Sequence, residues 1–186
     1  MKSGVRALGV AESFRENRSI VAGVVTRADR VVDGFAFGRC RVGGLDATET
    51  VVSIVDRLDR EDVQYLFVAG IAPAWYNILD LHAIAAAAER PVLSVSFEES
   101  EGLEEPLRDA FEGEELDRRL ERYHAQPPRE AITVNGETRF VRSVGLDEPT
   151  ERVVAAFTPA GGRPEPLRVA RLAARGVDRL DAESGR

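Results

Sequence analysis

The chain is expected to form an α/β fold with a ribonuclease-H-like mixed five-stranded sheet, three antiparallel strands followed by two parallel βαβ strands, flanked by helices. Three observations predict it. The first 42 residues hold three apolar, β-branched runs whose connections are too short for crossover helices. From Asp46 onward, helical periodicity alternates with short buried strands, which implies parallel crossovers. A doubly wound sheet would alternate strand and helix from the start, and this chain does not.

The runs Val5 to Ala11, Ser19 to Thr26 and Val31 to Val42 are the three opening strands. Gly43-Gly44 breaks the pattern. Asp46, with Glu49 three residues on, resembles a capping box before Val51, Val52, Ile54, Val55 and Leu58 at helical spacing. Tyr65 to Val68 reads as a buried strand, Asn77 to Glu89 as an alanine-rich helix and Pro91 to Phe97 as a second buried strand. Leu103 to Tyr123 is acidic and helical, with Gly113 as a break. Asn135-Gly136 between Ala131 to Val134 and Thr138 to Val141 is a two-residue hairpin signal. Pro149 opens a helix through Phe157, a Gly/Pro loop covers Thr158 to Pro166, and Leu167 to Arg175 is a last amphipathic helix ending near Gly176, after which the chain is expected to fray. The fold class therefore includes an extra C-terminal β-hairpin and helices.

At 186 residues, the chain is read as a single domain, 1–186, with one core. Its 44% hydrophobic and 31% charged residues exclude the composition of disorder. No run approaches the roughly 18 to 20 apolar residues of a membrane span, and MKSGVRALGV carries no signal-peptide cleavage site, so a cytoplasmic location and no membrane partner are expected. Cys40 is the single cysteine and has no zinc-spaced companions. Gly43-Gly44 lacks the Gly-Lys-Ser continuation of a phosphate loop, which argues against P-loop nucleotide hydrolysis.

The net charge of -7 is unevenly spread: residues 1 to 45 carry eight basic and four acidic side chains, leaving -11 for the remainder. A basic N-terminal third, with Arg15, Arg39 and Arg41 on its strands, suits phosphate contact; solvated arginines on strand faces and turns are the plainer reading.

The segments Gly9-Val-Ala-Glu-Ser-Phe14, Asp33-Gly-Phe-Ala-Phe-Gly38, Gly43-Gly-Leu-Asp-Ala-Thr48, Trp75-Tyr-Asn-Ile-Leu-Asp80, Pro91-Val-Leu-Ser-Val-Ser-Phe97 and Pro164-Glu-Pro-Leu-Arg-Val-Ala-Arg171 resemble an uncharacterised, largely archaeal family called domain of unknown function ninety-nine. That family is distantly similar to endonuclease V, a magnesium-dependent nuclease of the ribonuclease-H-like fold that cuts beside deaminated purines. The resemblance spans nearly the whole chain and implies an endonuclease-V-like domain.

Carried residue by residue, it implies a site built on carboxylates that bind Mg²⁺. The first-strand pattern Gly-Val-Asp-x-Ser-aromatic meets Gly9-Val10-Ala11-Glu12-Ser13-Phe14, with the carboxylate displaced by one residue onto the opposite strand face unless a bulge or strand end corrects it. Asp46 falls at the second carboxylate, where an N-cap role is the alternative. The fourth-strand pattern Val-Asp-Gly meets Val68-Ala69-Gly70, and alanine binds no metal. Asp80, Glu98 or Glu99 are the substitutes within reach, although Glu98 and Glu99 also read as a solvated loop. The candidate set is thus Glu12, Asp46 and Asp80 as catalytic residues, with Glu12 and Asp46 as metal ligands. Trp75 and Tyr76 are candidates for stacking on a base, against core packing as the plainer role. His82 and His124 have no ligand spacing, and His82 near Asp80 is a candidate proton carrier.

Three readings of function follow. One is a single-stranded or structured nucleic-acid binder with a degenerate metal site. The second is an active Mg²⁺-dependent endonuclease with relocated ligands. The third is a protein-interaction module using the acidic Leu103 to Tyr123 region. The late hairpin edge is a candidate homodimer contact.

Overall fold

The computed structural model describes residues 1–159 and 162–184. Ala160 and Gly161, inside the expected Thr158 to Pro166 loop, and the terminal Gly185 and Arg186 lie outside the described residues.

The three opening strands are β1 (Arg6–Arg15), β2 (Arg18–Arg27) and β3 (Val32–Arg41), successively antiparallel, the first two longer than their apolar runs and the third one residue shorter at each end. Helix α1 (Ala47–Leu58) crosses to β4 (Val63–Ala69), and the short turn α2 (Pro73–Tyr76) and α3 (Leu81–Ala88) lead to β5 (Val92–Ser96). β1, β4 and β5 run parallel. Helices α4 (Glu104–Ala110) and α5 (Gly113–His124) precede β6 (Glu130–Val134) and β7 (Glu137–Val144), and α6 (Thr150–Ala156) and α7 (Glu165–Ser184) close the chain. The late hairpin joins the same sheet through β7 beside β5, giving seven strands in the order β3-β2-β1-β4-β5-β7-β6.

Two apolar layers sandwich the sheet. On one face, Val51 and Ile54 of α1 and Leu81 and Ile84 of α3 pack on Leu8, Val10, Val21 and Leu66. On the other, Val153 and Val154 of α6 and Phe157 at its C-cap meet Phe67 and Leu93, while Ala170 and Ala174 of α7 cover Ala11, Ala22 and Val24. Each fully buried aliphatic side chain contributes about 1.5–3 kcal/mol. The start of α7 lies so close to β1 that a Cβ on Gly9 would stand 2.2 Å from the carbonyl carbon of Pro166, so glycine alone fits there.

Two boundaries differ from expectation. The helix expected from Asn77 starts at Leu81, because Pro73 to Asn77 form a separate turn and Asp80 caps the helix by accepting from the Ala83 N–H at 3.0 Å. Helix α7 runs through Gly176 to Ser184: Val177 still packs on β2, and Asp178 and Asp181 pair with Arg15 and Arg39, which offsets the cost of roughly 1 kcal/mol for a helical glycine. Among the described residues, no helix is long and apolar enough to cross a membrane.

Candidate functional site

Register places the site. Val10 pairs with Val68 and Val68 with Ser94, and Glu12, Gly70 and Ser96 follow two residues further along the chain from each. These are the carboxyl ends of the strands, where open α/β sheets bind ligands.

Glu12 follows the parity of its strand. Ala11 packs under Ala170 of α7, and the one-residue displacement turns Glu12 toward the α1 face. The Ser19 hydroxyl donates to its carboxylate at 3.0 Å. Burial pushes the Glu12 carboxyl above the usual carboxylate range, against the lowering effects of Ser19, the Ala74 N–H and the Arg171 charge. The buried Cys40 thiol feels both candidate metal ligands. Burial, then Asp46 and Glu12, push it up to about 11, which leaves it protonated and unreactive.

Asp46 occupies the N-cap position of α1 without making a side-chain cap bond. Its carboxylate instead accepts from the Arg41 N–H at 3.2 Å and from Asn77 Nδ2 at 2.8 Å. Asn77, fully buried, also donates to the Arg41 carbonyl and accepts from the Ala47 N–H, both at 3.0 Å. It thus does the capping that the sequence suggested for Asp46.

Two arginines of α5 hold the same loop. Arg119, only 1% exposed, donates to the Gly43 and Gly44 carbonyls and lies 3.7 Å over the Phe111 ring. Arg122 donates to the Leu45 and Ile78 carbonyls at 3.1 Å. The Gly43 N–H reaches back to the Ala74 carbonyl at 2.7 Å.

That carbonyl belongs to a strained turn. Ala74, Trp75 and Tyr76 are consecutive non-glycine residues with φ of 47°, 56° and 61°. Left-handed backbone costs about 1–2 kcal/mol per such residue, and strain of this kind concentrates at functional sites. The turn sets the Ala74 N–H against Glu12 and lays the Trp75 ring, half exposed, beside Gly43 and against Tyr76 and Phe111.

A cavity of about 380 Å³ opens past Gly70 and Ser96, walled by Ser94, Tyr123, Arg129, Phe140 and Arg142. Arg129 donates to Ser96 Oγ at 3.1 Å and to the Glu98 carbonyl, and stacks 4.0 Å over Phe140. An adjoining hollow of about 250 Å³ shares Ala69, Gly70, Ser96 and Glu98 and adds Arg163 and Arg171. Desolvation lowers the pKa of Arg129 and Arg163, though both remain cationic near neutrality. The two hollows thus present four guanidinium groups, of which Arg171 acts on Glu12, in a chain that is acidic overall.

The other sequence candidates are distributed as follows. Asp80 is engaged in capping α3. Arg39 pairs with Asp181 at 2.7 Å and Arg15 with Asp178 at 3.7 Å, while Arg41 is exposed. His82 is exposed on α3, and His124 contacts Glu104 at 3.2 Å. Glu98 borders both cavities and Glu99 is exposed. Among the described residues, no group of three or more His, Cys, Asp or Glu side chains is placed to hold a metal. Sequence reasoning did not single out Asn77, Arg119, Arg122, Arg129, Arg142 or Arg163. Asn77 and Arg171 lay within segments quoted for the resemblance, without a role assigned to them.

Comparison with known proteins places this architecture. A UPF0215 protein of Pyrobaculum calidifontis is 36% identical over 175 residues, which cover 91% of this chain and 95% of that protein. The crystal structure of a protein of unknown function from Archaeoglobus fulgidus superposes with a TM-score of 0.80 at 27% identity, covering 92% of this chain and 97% of that one. Endonuclease V of Ciona intestinalis, solved with a 24mer DNA containing an inosine followed by a ribo-adenosine, shares the fold with a TM-score of 0.61 at 12% identity, over 94% of this chain and 86% of that one. The family described as Endonuclease dU matches residues 3–178, and the chain belongs to that family.

Proposed function

We propose that this chain is an endonuclease that nicks nucleic acid at a deaminated base, with deoxyuridine in DNA as the preferred lesion. The observation that carries the reading is the continuous cleft at the ends of β1, β4 and β5. Two adjoining cavities there hold the guanidinium groups of Arg163 and Arg171, and the charge of Arg171 acts on the carboxylate of Glu12 near the end of β1. The family description and the inosine-containing DNA on the endonuclease V neighbour agree with it.

Chemistry on a strand at one base requires that base to leave the stack, and a pocket that stacks and hydrogen-bonds it repays the unstacking. Tyr123 offers a ring face, Arg129 stacked on Phe140 offers a guanidinium plane, and Ser94 offers a hydroxyl. Arg163 and Arg171 hold the flanking phosphates, and the half-exposed Trp75 stacks on a neighbouring base.

Glu12 and Asp46 are the residues that would hold Mg²⁺. Hard carboxylate oxygens suit it, and Mg²⁺ commonly takes only one or two protein carboxylates, completing its shell with water and substrate phosphate. Bound there, the ion supplies charge neutralisation at the phosphate and a more acidic water. Asn77 and the Arg41 N–H fix Asp46 in orientation; Ser19 and the Ala74 N–H fix Glu12.

The test is strand cleavage of oligonucleotides that carry one deoxyuridine or one thymidine at the same place, with Mg²⁺ or with EDTA. Nicking beside deoxyuridine only, dependent on Mg²⁺ and lost in Asp46→Ala and Glu12→Ala, is expected. Equal nicking of the thymidine strand would refute the base-specific reading. One observation favours a second reading, a binder without cleavage: Ala69 stands where a third carboxylate would complete the metal set. Tight binding with no nick under any divalent ion would establish it.

A further inference from the structure

We propose that Arg142 and Ser94 read the base in the cavity, Arg142 by donating to the carbonyl that deamination puts where cytosine carries an amine. The assignment rests on the proposed cleavage at deoxyuridine and names the side chains that select the base. Register places both residues: Ser94 of β5 pairs with Arg142 of β7. Their neighbours Leu93, Val95 and Val141 pack toward α6, so these two side chains turn to the opposite face, that of α1 and α3. One pair further back, Val92 and Val144 belong to the core on that face. At Ser94 and Arg142 the apolar layer gives way to the cavity.

Both retain donors that the fold does not use. Ser94 is 4% exposed, and among the described residues its hydroxyl has no hydrogen-bond partner, so what it faces is the cavity. Arg142, half-buried, donates through Nη1 to the Pro127 carbonyl, which leaves Nε and Nη2 for a ligand. Arg129 differs, because its two end nitrogens are taken by the Ser100 carbonyl and Ser96 Oγ, both at 3.1 Å, and by the Glu98 carbonyl. Burial and then the Arg142 charge hold Arg129 below its ordinary pKa. The two guanidinium groups thus stand near each other, with no carboxylate bridged to either among the described residues. Glu98 is the one carboxylate among the lining residues and stands exposed, where water competes for it.

Those donors select the base. Uracil presents a carbonyl at C4, where cytosine presents an amine. A guanidinium has five N–H donors and no acceptor, so it bonds the carbonyl and has nothing to offer the amine. Once a base displaces water from the cavity, two facing donors both go unsatisfied, and a site built to bond one group rejects its analogue on that account. The Arg129 plane on Phe140 and the Tyr123 ring supply flat walls, which a base uses and a phosphate does not. Thymine keeps the C4 carbonyl, so Arg142 plays no part in its rejection.

The test is binding of single-stranded oligonucleotides that carry one uracil or one cytosine at the same place. Fluorescence anisotropy reads it in EDTA, so that no strand is cut, with circular dichroism as the check on fold. Wild type is expected to hold the uracil strand about 10-fold tighter or more. Arg142→Gln supplies both a donor and an acceptor and is expected to remove most of that preference. Ser94→Ala leaves Arg142 in place and is expected to weaken the uracil strand alone, by roughly 3- to 10-fold. Equal affinity of the wild type for the two strands would overturn the deaminated-base reading and this assignment with it. A wild-type preference that survives in Arg142→Gln would overturn the assignment alone. So would a uniform weakening of both strands in Arg142→Gln with the salt slope of log Kd lower by about one, since that marks a phosphate contact.

Discussion

Asn77→Ala isolates the physical cause of the Asp46 geometry. The amide is fully buried and makes two neutral hydrogen bonds at 3.0 Å, with the Ala47 N–H and the Arg41 carbonyl, and one to the Asp46 carboxylate at 2.8 Å. Neutral bonds contribute about 1 kcal/mol each, and a bond to a charged group about 1.5–3 kcal/mol. The loss of all three is expected to cost about 3–5 kcal/mol. For a chain of this size each kcal/mol lowers Tm by roughly 2–4 °C, so the melting point should fall by about 6–20 °C. Urea denaturation gives the free energy and thermal melting the temperature. Asn77→Asp sharpens the test, because it sets a second carboxylate against Asp46; its deficit should be larger at neutral pH and shrink as pH falls and the pair takes up a proton. A loss below about 1 kcal/mol in Asn77→Ala, with cleavage intact, would refute the claim that this amide holds the site together.

Glu12→Gln should raise the melting temperature near neutral pH. Burial raises the folded-state pKa of Glu12, so its contribution to stability is present below the ordinary glutamate value and is lost as pH rises through the folded value. The gain should therefore vanish in acid, and melts across pH check it; an unchanged gain at low pH would contradict the burial argument. Gly43→Ala places a Cβ 2.9 Å from Trp75 Cε3 at a residue with φ of +67°. A destabilisation of about 1–3 kcal/mol is expected, together with a shifted emission from Trp75, the single tryptophan, read by fluorescence during denaturation. Replacing Arg163 and Arg171 by alanine should weaken oligonucleotide binding and reduce the salt slope of log Kd by about 1–2, whereas removing Arg15 and Arg39, already paired to Asp178 and Asp181, should change both less.

The strands were legible because β-branched runs such as Ser19 to Thr26 obey a short period and Asn135-Gly136 is an unambiguous turn. The site was legible only in part. Glu12 and Asp46 were named through the resemblance to the endonuclease V pattern, but the partners that hold them were not, since neither Asn77 nor Arg119 carries a local signature of being buried. Composition located positive charge in the N-terminal third, where α7 neutralises two of the three named arginines. The cleft draws its charge from Arg129, Arg142, Arg163 and Arg171, scattered through acidic sequence and assembled only by folding. Nothing in Ala74-Trp75-Tyr76 announces a left-handed turn, because its strain is held by distant bonds to Gly43 and Glu12. Gly176 looked like a helix end, yet tertiary contacts outweigh its propensity.

The cleft is the centre of the account, and photocrosslinking tests it most directly. An oligonucleotide carrying a single 5-iodo-deoxyuridine is irradiated with the wild-type protein, and the modified residue is mapped by mass spectrometry. Attachment is expected at Tyr123 or Phe140, the aromatic walls of the cavity beyond Gly70 and Ser96. Attachment confined to Phe35 and Phe37, or attachment no greater than that of the same label in a mixed-sequence strand competed away by unmodified DNA, would contradict it.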